Sequence, residues 1–139
     1  MGTRSLTFVY DDTERPIINL YRSMDGYPEG HGRELAEFLN GKSIVNGLIW
    51  GSDYSKLANG MECLSAQLVA HFKKTAGDFY LYSVFNTDLG QDYEYHIFED
   101  QIVVKDHWED SVLFTGTWDE YYVWEIAEIY KTGKLNDLK

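Results

Sequence analysis

The chain has 139 residues, 44% of them hydrophobic and 16% aromatic, which is enough for one domain and excludes a disordered tail. Its 23 acidic and 12 basic residues give a formal net charge of −11. That charge argues against a general nucleic-acid binder, because phosphate contacts need clustered cations.

The elements follow in chain order. Residues 3–10, rich in β-branched and aromatic side chains, read as a strand with Leu6 and Phe8 on one face. A polar turn through Pro16 leads to a second strand over 17–22, so the chain opens as a β-hairpin. Residues 23–32 then hold three glycines and Pro28, before a helix marked by Leu35, Phe38 and Leu39 and stopped by Asn40-Gly41. Residues 41–60 are irregular, with Ile44, Val45, Leu48, Ile49 and Trp50 expected to tuck onto the core. Leu64, Leu68 and Phe72 predict a helix over about 61–74, with Lys73 and Lys74 in its last turn.

Beyond Gly77 the period changes to two. Segments 79–84, 93–98, 101–105 and 112–115 read as four strands of an antiparallel meander joined by short turns. In the second of these, Tyr93, Tyr95 and Ile97 alternate with Glu94, His96 and Phe98, so one face is apolar and the other partly wet. Thr117-Trp118-Asp119-Glu120 matches a capping box and predicts a helix over about 118–131, ended by Gly133, with a frayed tail over 134–139. The expected fold is a single α+β domain over 1–139, an antiparallel sheet of about six strands with two or three packed helices.

Charge is unevenly spread along this fold. Residues 1–75 carry nine acids and eight bases, residues 76–139 fourteen acids and four bases, and the four arginines Arg4, Arg15, Arg22 and Arg33 all precede residue 34. A lone cysteine, Cys63, permits no intrachain disulfide and reads as a buried structural thiol. The start of the chain lacks the apolar run of a signal peptide, and no segment approaches the roughly 20 apolar residues of a membrane span, so a soluble cytoplasmic protein without membrane contact is expected.

Enzyme signatures are missing: there is no G-x-x-x-x-G-K-[ST], H-E-x-x-H or G-x-S-x-G. His31, His71, His96, His107 and Cys63 lack zinc-site spacing, so no metal, cofactor or catalytic residue is assigned. The candidate site is the loop around 21–33. Glycines Gly26, Gly30 and Gly32 allow close backbone approach, and the following helix N-terminus attracts anions. Arg4, Arg22, His31 and Arg33 supply cationic donors, Tyr21 and Tyr27 stacking surfaces, and Asp25 a polar partner. In the hairpin, Arg4 and Arg22 meet and repel unless an anion lies between them. These residues suit a small phosphate-bearing, nucleotide-like ligand. The alternative is a plain strand-to-helix connection whose arginines pair with Asp25 or Glu29. A second candidate is the acidic face Asp106, Glu109, Asp110, Asp119, Glu120, Glu125 and Glu128, which suits mimicry of nucleic acid or a protein interface.

Met1-x-Thr3-Arg4, the loop Tyr21-Arg22-x-x-Asp25-Gly26-Tyr27-Pro28-x-Gly30-His31-Gly32 and Leu64-x-x-Gln67-Leu68-Val69-Ala70-x-Phe72-Lys73 resemble a widespread family of small phage and prophage proteins. The resemblance covers most of the chain up to about residue 105 and brings no established activity. It implies a role against host defence. The leading expectation is sequestration of a nucleotide-derived immune signal without cleavage, in a site that two protomers can share in a homo-oligomer. The runner-up is an acidic protein that inhibits a host defence enzyme, and the third is a small hydrolase with His31 and Asp25 as acid and base.

Overall fold

A computed structural model describes the backbone of residues 2–132 and the side chains of residues 2–127. Among these residues eight strands and three helices follow one another: β1 (Ser5–Tyr10), β2 (Pro16–Arg22), α1 (Arg33–Leu39), β3 (Ser43–Val45), β4 (Leu57–Asn59), α2 (Gly60–Phe72), β5 (Phe79–Tyr82), β6 (Tyr93–Phe98), β7 (Gln101–Asp106), β8 (Ser111–Gly116) and α3 (Trp118–Thr132). A π-helical turn over Pro28–Gly32 runs directly into α1. The fold is α+β, as the pattern predicts: a six-stranded, mostly antiparallel sheet, with β3 and β4 forming a small parallel pair apart from it.

Strand order is β5-β2-β1-β6-β7-β8. Only β6-β7-β8 form the expected meander. β5 leaves that run and pairs antiparallel with β2 at the opposite edge, while β6 pairs parallel with β1 in the centre. The chain therefore crosses the sheet between β5 and β6, over residues 83–92. Asn19, buried in β2, ties this crossing down: its Nδ2 donates to the carbonyls of Ser83 at 3.1 Å and Asn86 at 2.9 Å.

The crossing gives the sheet two covered faces. On the front, Val9, Leu20, Tyr95, Ile97, Ile102 and Val104 pack against Leu35, Leu39, Leu64, Leu68, Trp118 and Tyr121 of the helices. On the back, Leu6 and Phe8 are buried, which explains why β1 is apolar on both sides. Such strands read as continuous hydrophobic runs rather than alternating ones.

Three local expectations change. The helix α2 ends at Phe72; Lys73 and Lys74 lie beyond it, and Lys73 Nζ donates to the carbonyls of Gly77 and Phe79, each at 2.8 Å. Of the apolar residues at 44–50, Ile44 packs against the core, but Leu48, Ile49 and Trp50 are exposed, Trp50 by 96%. Cys63 is only half-buried at the core margin. The capping box forms: Glu120 N–H donates to Thr117 Oγ1 and Thr117 N–H to Glu120 Oε1. Gly133 and the tail over 134–139 lie outside the described residues. Among the described residues no helix is long and apolar enough to cross a membrane.

Candidate functional site

The glycine loop is held from inside. Gly26 N–H donates to Thr3 O at 2.8 Å, and its carbonyl accepts from the buried Tyr95 hydroxyl at 2.8 Å. His31 N–H reaches Asp25 O, and Gly30 N–H and Gly32 N–H both reach Tyr27 O. Arg33 N–H turns back to Gly30 and Pro28 carbonyls. These donors serve the loop itself rather than an outside anion. None of the three glycines has a positive φ; Asp25 takes that conformation, at 61°. What requires glycine is space. A Cβ on Gly26 would lie 2.7 Å from Arg4 C and 2.8 Å from Ser5 N, and one on Gly32 would lie 2.5 Å from Tyr121 Oη.

His31 is fully buried in the front face. Its Nε2 lies 2.8 Å from Thr7 Oγ1, and its Nδ1 3.1 Å from Arg22 Nη1. A guanidinium only donates, so Nδ1 is the acceptor and Nε2–H the donor: the ring is neutral. Burial, reinforced by Arg22, pushes its pKa well below the usual 6.5. Arg22 also pairs with Glu34, and Arg33 pairs with Glu37 at 3.0 Å.

The expected anion site is divided between the two faces of the sheet. Arg22 is the cross-strand partner of Ser5, so it shares the front face with Thr7 and His31. Side chains alternate along a strand, which puts Arg4 on the back, where Gly90 lies beside its guanidinium. Tyr21 is on the back as well, against Tyr80 and Tyr82. The expected meeting of Arg4 and Arg22 does not occur. Asp25 is exposed and Tyr27 half-buried at the loop's rim.

The proposed acidic face is likewise dispersed. Glu125 is 1% exposed. Asp106, Glu109 and Asp110 lie where β7 turns into β8, and Asp119 and Glu120 follow the far end of β8. A six-residue strand separates these groups by roughly 17 Å. The side chain of Glu128 is outside the described residues.

Two other constellations emerge. The first is a groove at the end of the sheet where the β1–β2 and β6–β7 turns meet the start of α3. Three adjoining hollows of about 360, 660 and 520 Å³ share Glu99 in their walls. Asp11, Asp12, Glu14, Glu62, Asp100 and Asp119 line them too, against a single cation, Lys42. None of these seven carboxylates forms an ion pair among the described residues. Asp11 takes N–H groups of Thr13 and Arg15, and Asp119 that of Gly41. Ile44, Val45, Phe98 and Val103 give the groove apolar ground.

The second lies on the back face. Glu94 Oε1 accepts from His96 Nε2 at 2.9 Å, and its Oε2 accepts from His107 Nδ1 at 2.8 Å and Gln91 Nε2 at 3.0 Å. Tyr10 Oη donates to His96 Nδ1 at 2.7 Å. These bonds, led by that from His96, hold the Glu94 carboxyl down at about 2, and burial pushes the Tyr10 hydroxyl up to about 12. The stabilisation tied to Glu94 is complete above pH 4.5, the value for a free glutamate, and is lost as the pH falls to about 2. A shift of this size amounts to about 3 kcal/mol. Glu94→Gln is expected to flatten the acid limb of a melting-temperature profile across that range.

Among the described residues no group of His, Cys, Asp and Glu is placed to hold a metal ion. Comparison with protein-family models, with curated proteins and with solved structures finds no match.

Proposed function

We propose that this protein is an acidic interaction protein that takes a basic segment of a partner into the groove around Glu99. The carrying observation is that seven carboxylates line three adjoining hollows with a single lysine and, among the described residues, no ion pair. Seven carboxylates against one lysine leave the lining strongly negative, and a cationic occupant offsets that charge. The apolar ground matters equally: Lys and Arg lay an aliphatic stem on apolar surface and place the charged head at its rim. Phe98 and Val103 beside Asp11, Asp12, Glu14 and Glu99 offer that combination. A surface evolved to bind nucleic acid is one such partner. The net charge of −11 speeds encounter with it.

A small phosphate-bearing ligand at the glycine loop has less support. Arg22 and Arg33 are paired with Glu34 and Glu37, Arg4 lies on the other face of the sheet, and the backbone donors close the loop on itself.

The test is fluorescence anisotropy with a labelled Lys/Arg-rich peptide. The variant Asp12→Asn/Glu99→Gln/Asp100→Asn is expected to bind at least tenfold more weakly than the wild type. The equal charge change Asp53→Asn/Asp78→Asn/Glu109→Gln, made away from the groove, is expected to change affinity little. Affinity should also fall steeply with salt. Equal losses in both triple variants would show that overall charge, and not the groove, attracts the peptide.

A further inference from the structure

The Glu94 cluster forms one wall of a cleft of about 500 Å³ behind the sheet, between the 83–92 crossing and the β7–β8 turn. That volume is in the range of small-molecule sites. Phe8, Tyr10, Pro16 and Val84 give the cleft apolar lining, and His96, His107, Asp88, Lys105 and Asp110 give it polar lining.

The hydrogen bonds decide which polar atoms are available. Both imidazoles donate to the same carboxylate, so their tautomers are fixed. His96 uses its second nitrogen to accept from Tyr10. His107 donates from Nδ1, and its other ring nitrogen, Nε2, lies on the Asp88 side of the ring. Asp88 Oδ1 is 3.8 Å from that nitrogen, too far for a hydrogen bond, on a side chain that is 76% exposed. Lys105, the cation of the cleft, is already 3.7 Å from Asp110. The His107 ring and the Asp88 carboxylate thus lie side by side in a lining that also holds Tyr10, Pro16 and Val84.

We propose that this cleft is a binding site for a small primary amine with an aromatic or aliphatic body. The ammonium group is countered by Asp88 beside the His107 ring, while the body lies against Tyr10, Pro16 and Val84. Small anions are disfavoured, because Asp88, Glu94 and Asp110 outnumber Lys105 in the lining. The site is separate from the groove around Glu99 and stands or falls without it.

The test compares two molecules of like shape and opposite charge, phenethylamine and 3-phenylpropionate, by amide NMR titration of the full chain. The amine is expected to give saturable shifts at Val84, Gln91, Lys105 and His107, and the carboxylate none there. His107→Ala is expected to weaken the amine at least tenfold. Because His107 also helps hold the crossing in place, Asp88→Asn serves as the second variant; its side chain is exposed, and a severalfold loss is expected without a change in melting temperature. The triple variant of the Glu99 groove should bind the amine as the wild type does. The proposal is overturned if the carboxylate binds at these residues as well as the amine, if the amine gives no saturable shift at millimolar concentration, or if Asp88→Asn binds it unchanged.

Discussion

Gly26→Ala is expected to lower the melting temperature by about 10 °C, followed by circular dichroism. The added methyl would stand 2.7 Å from Arg4 C and 2.8 Å from Ser5 N, both main-chain atoms at the entrance of a central strand. Main chain held by a sheet on both sides cannot give way as a side chain does. Overpacking of this kind costs about 3 kcal/mol, which for a domain of this size corresponds to roughly 10 °C. Gly32→Ala is expected to cost less, since its nearest neighbours are side-chain atoms of Tyr121, Glu125 and Tyr95. A glycine kept for a ligand behaves differently: its replacement weakens binding and leaves melting nearly unchanged. An unaltered melting temperature in Gly26→Ala would therefore return the loop to the role of an anion cradle.

His31→Ala is expected to destabilise the protein by about 3–4 kcal/mol, combining a cavity with the loss of two hydrogen bonds. The ring packs with Phe72 and Tyr95 at centroid distances of 5.0 and 5.1 Å; its loss deprives Thr7 Oγ1 of its partner and leaves Arg22 Nη1 with Glu34 alone. The same residue gives the wild type a characteristic pH dependence. The folded ring refuses the proton that the unfolded chain accepts below pH 6.5. The unfolded state then binds more protons, so stability falls as the pH is lowered from 6.5, by up to about 1.4 kcal/mol per pH unit. His71, also pushed down by burial and by Lys74, acts in the same direction. The difference between wild type and His31→Ala, measured by urea unfolding at pH 7 and pH 5.5, isolates the share of His31. A difference that does not change with pH would mean that His31 is not held neutral.

Local pattern carried much of the fold. The alternation of Tyr93 to Phe98 predicts which side of β6 is buried, and Tyr95 and Ile97 are fully buried where Glu94 and His96 are not. The same alternation puts Glu94 and His96 on one face two residues apart, and this was the legible sign of the back-face cluster. His107 was not legible, because it joins them only through the β6–β7 register that pairs Glu94 with Lys105. Strand order was hidden for a related reason. Nothing in Phe79–Tyr82 states that it pairs with β2 rather than β6; that depends on the ten-residue crossing and on buried Asn19 holding it. The acidic groove collects residues from 11 to 119, so no run of sequence displays it. The glycines drew attention correctly, but spacing alone cannot distinguish room for a ligand from room for the neighbouring main chain.

The parallel pairing of β1 with β6 has a consequence for synthesis. β1 leaves the ribosome 88 positions ahead of the neighbour it needs, from Ser5 to Tyr93. At roughly 5–20 residues per second, the nascent hairpin waits several seconds with its inner edge uncovered. Contacts so distant along the chain also make for slow folding once synthesis is complete. Until β6 arrives, Leu6, Phe8 and Val9 stand in water beside an open strand edge. In this molecule β1 is enclosed long after it is made, and its safe passage rests on how quickly translation reaches residue 98.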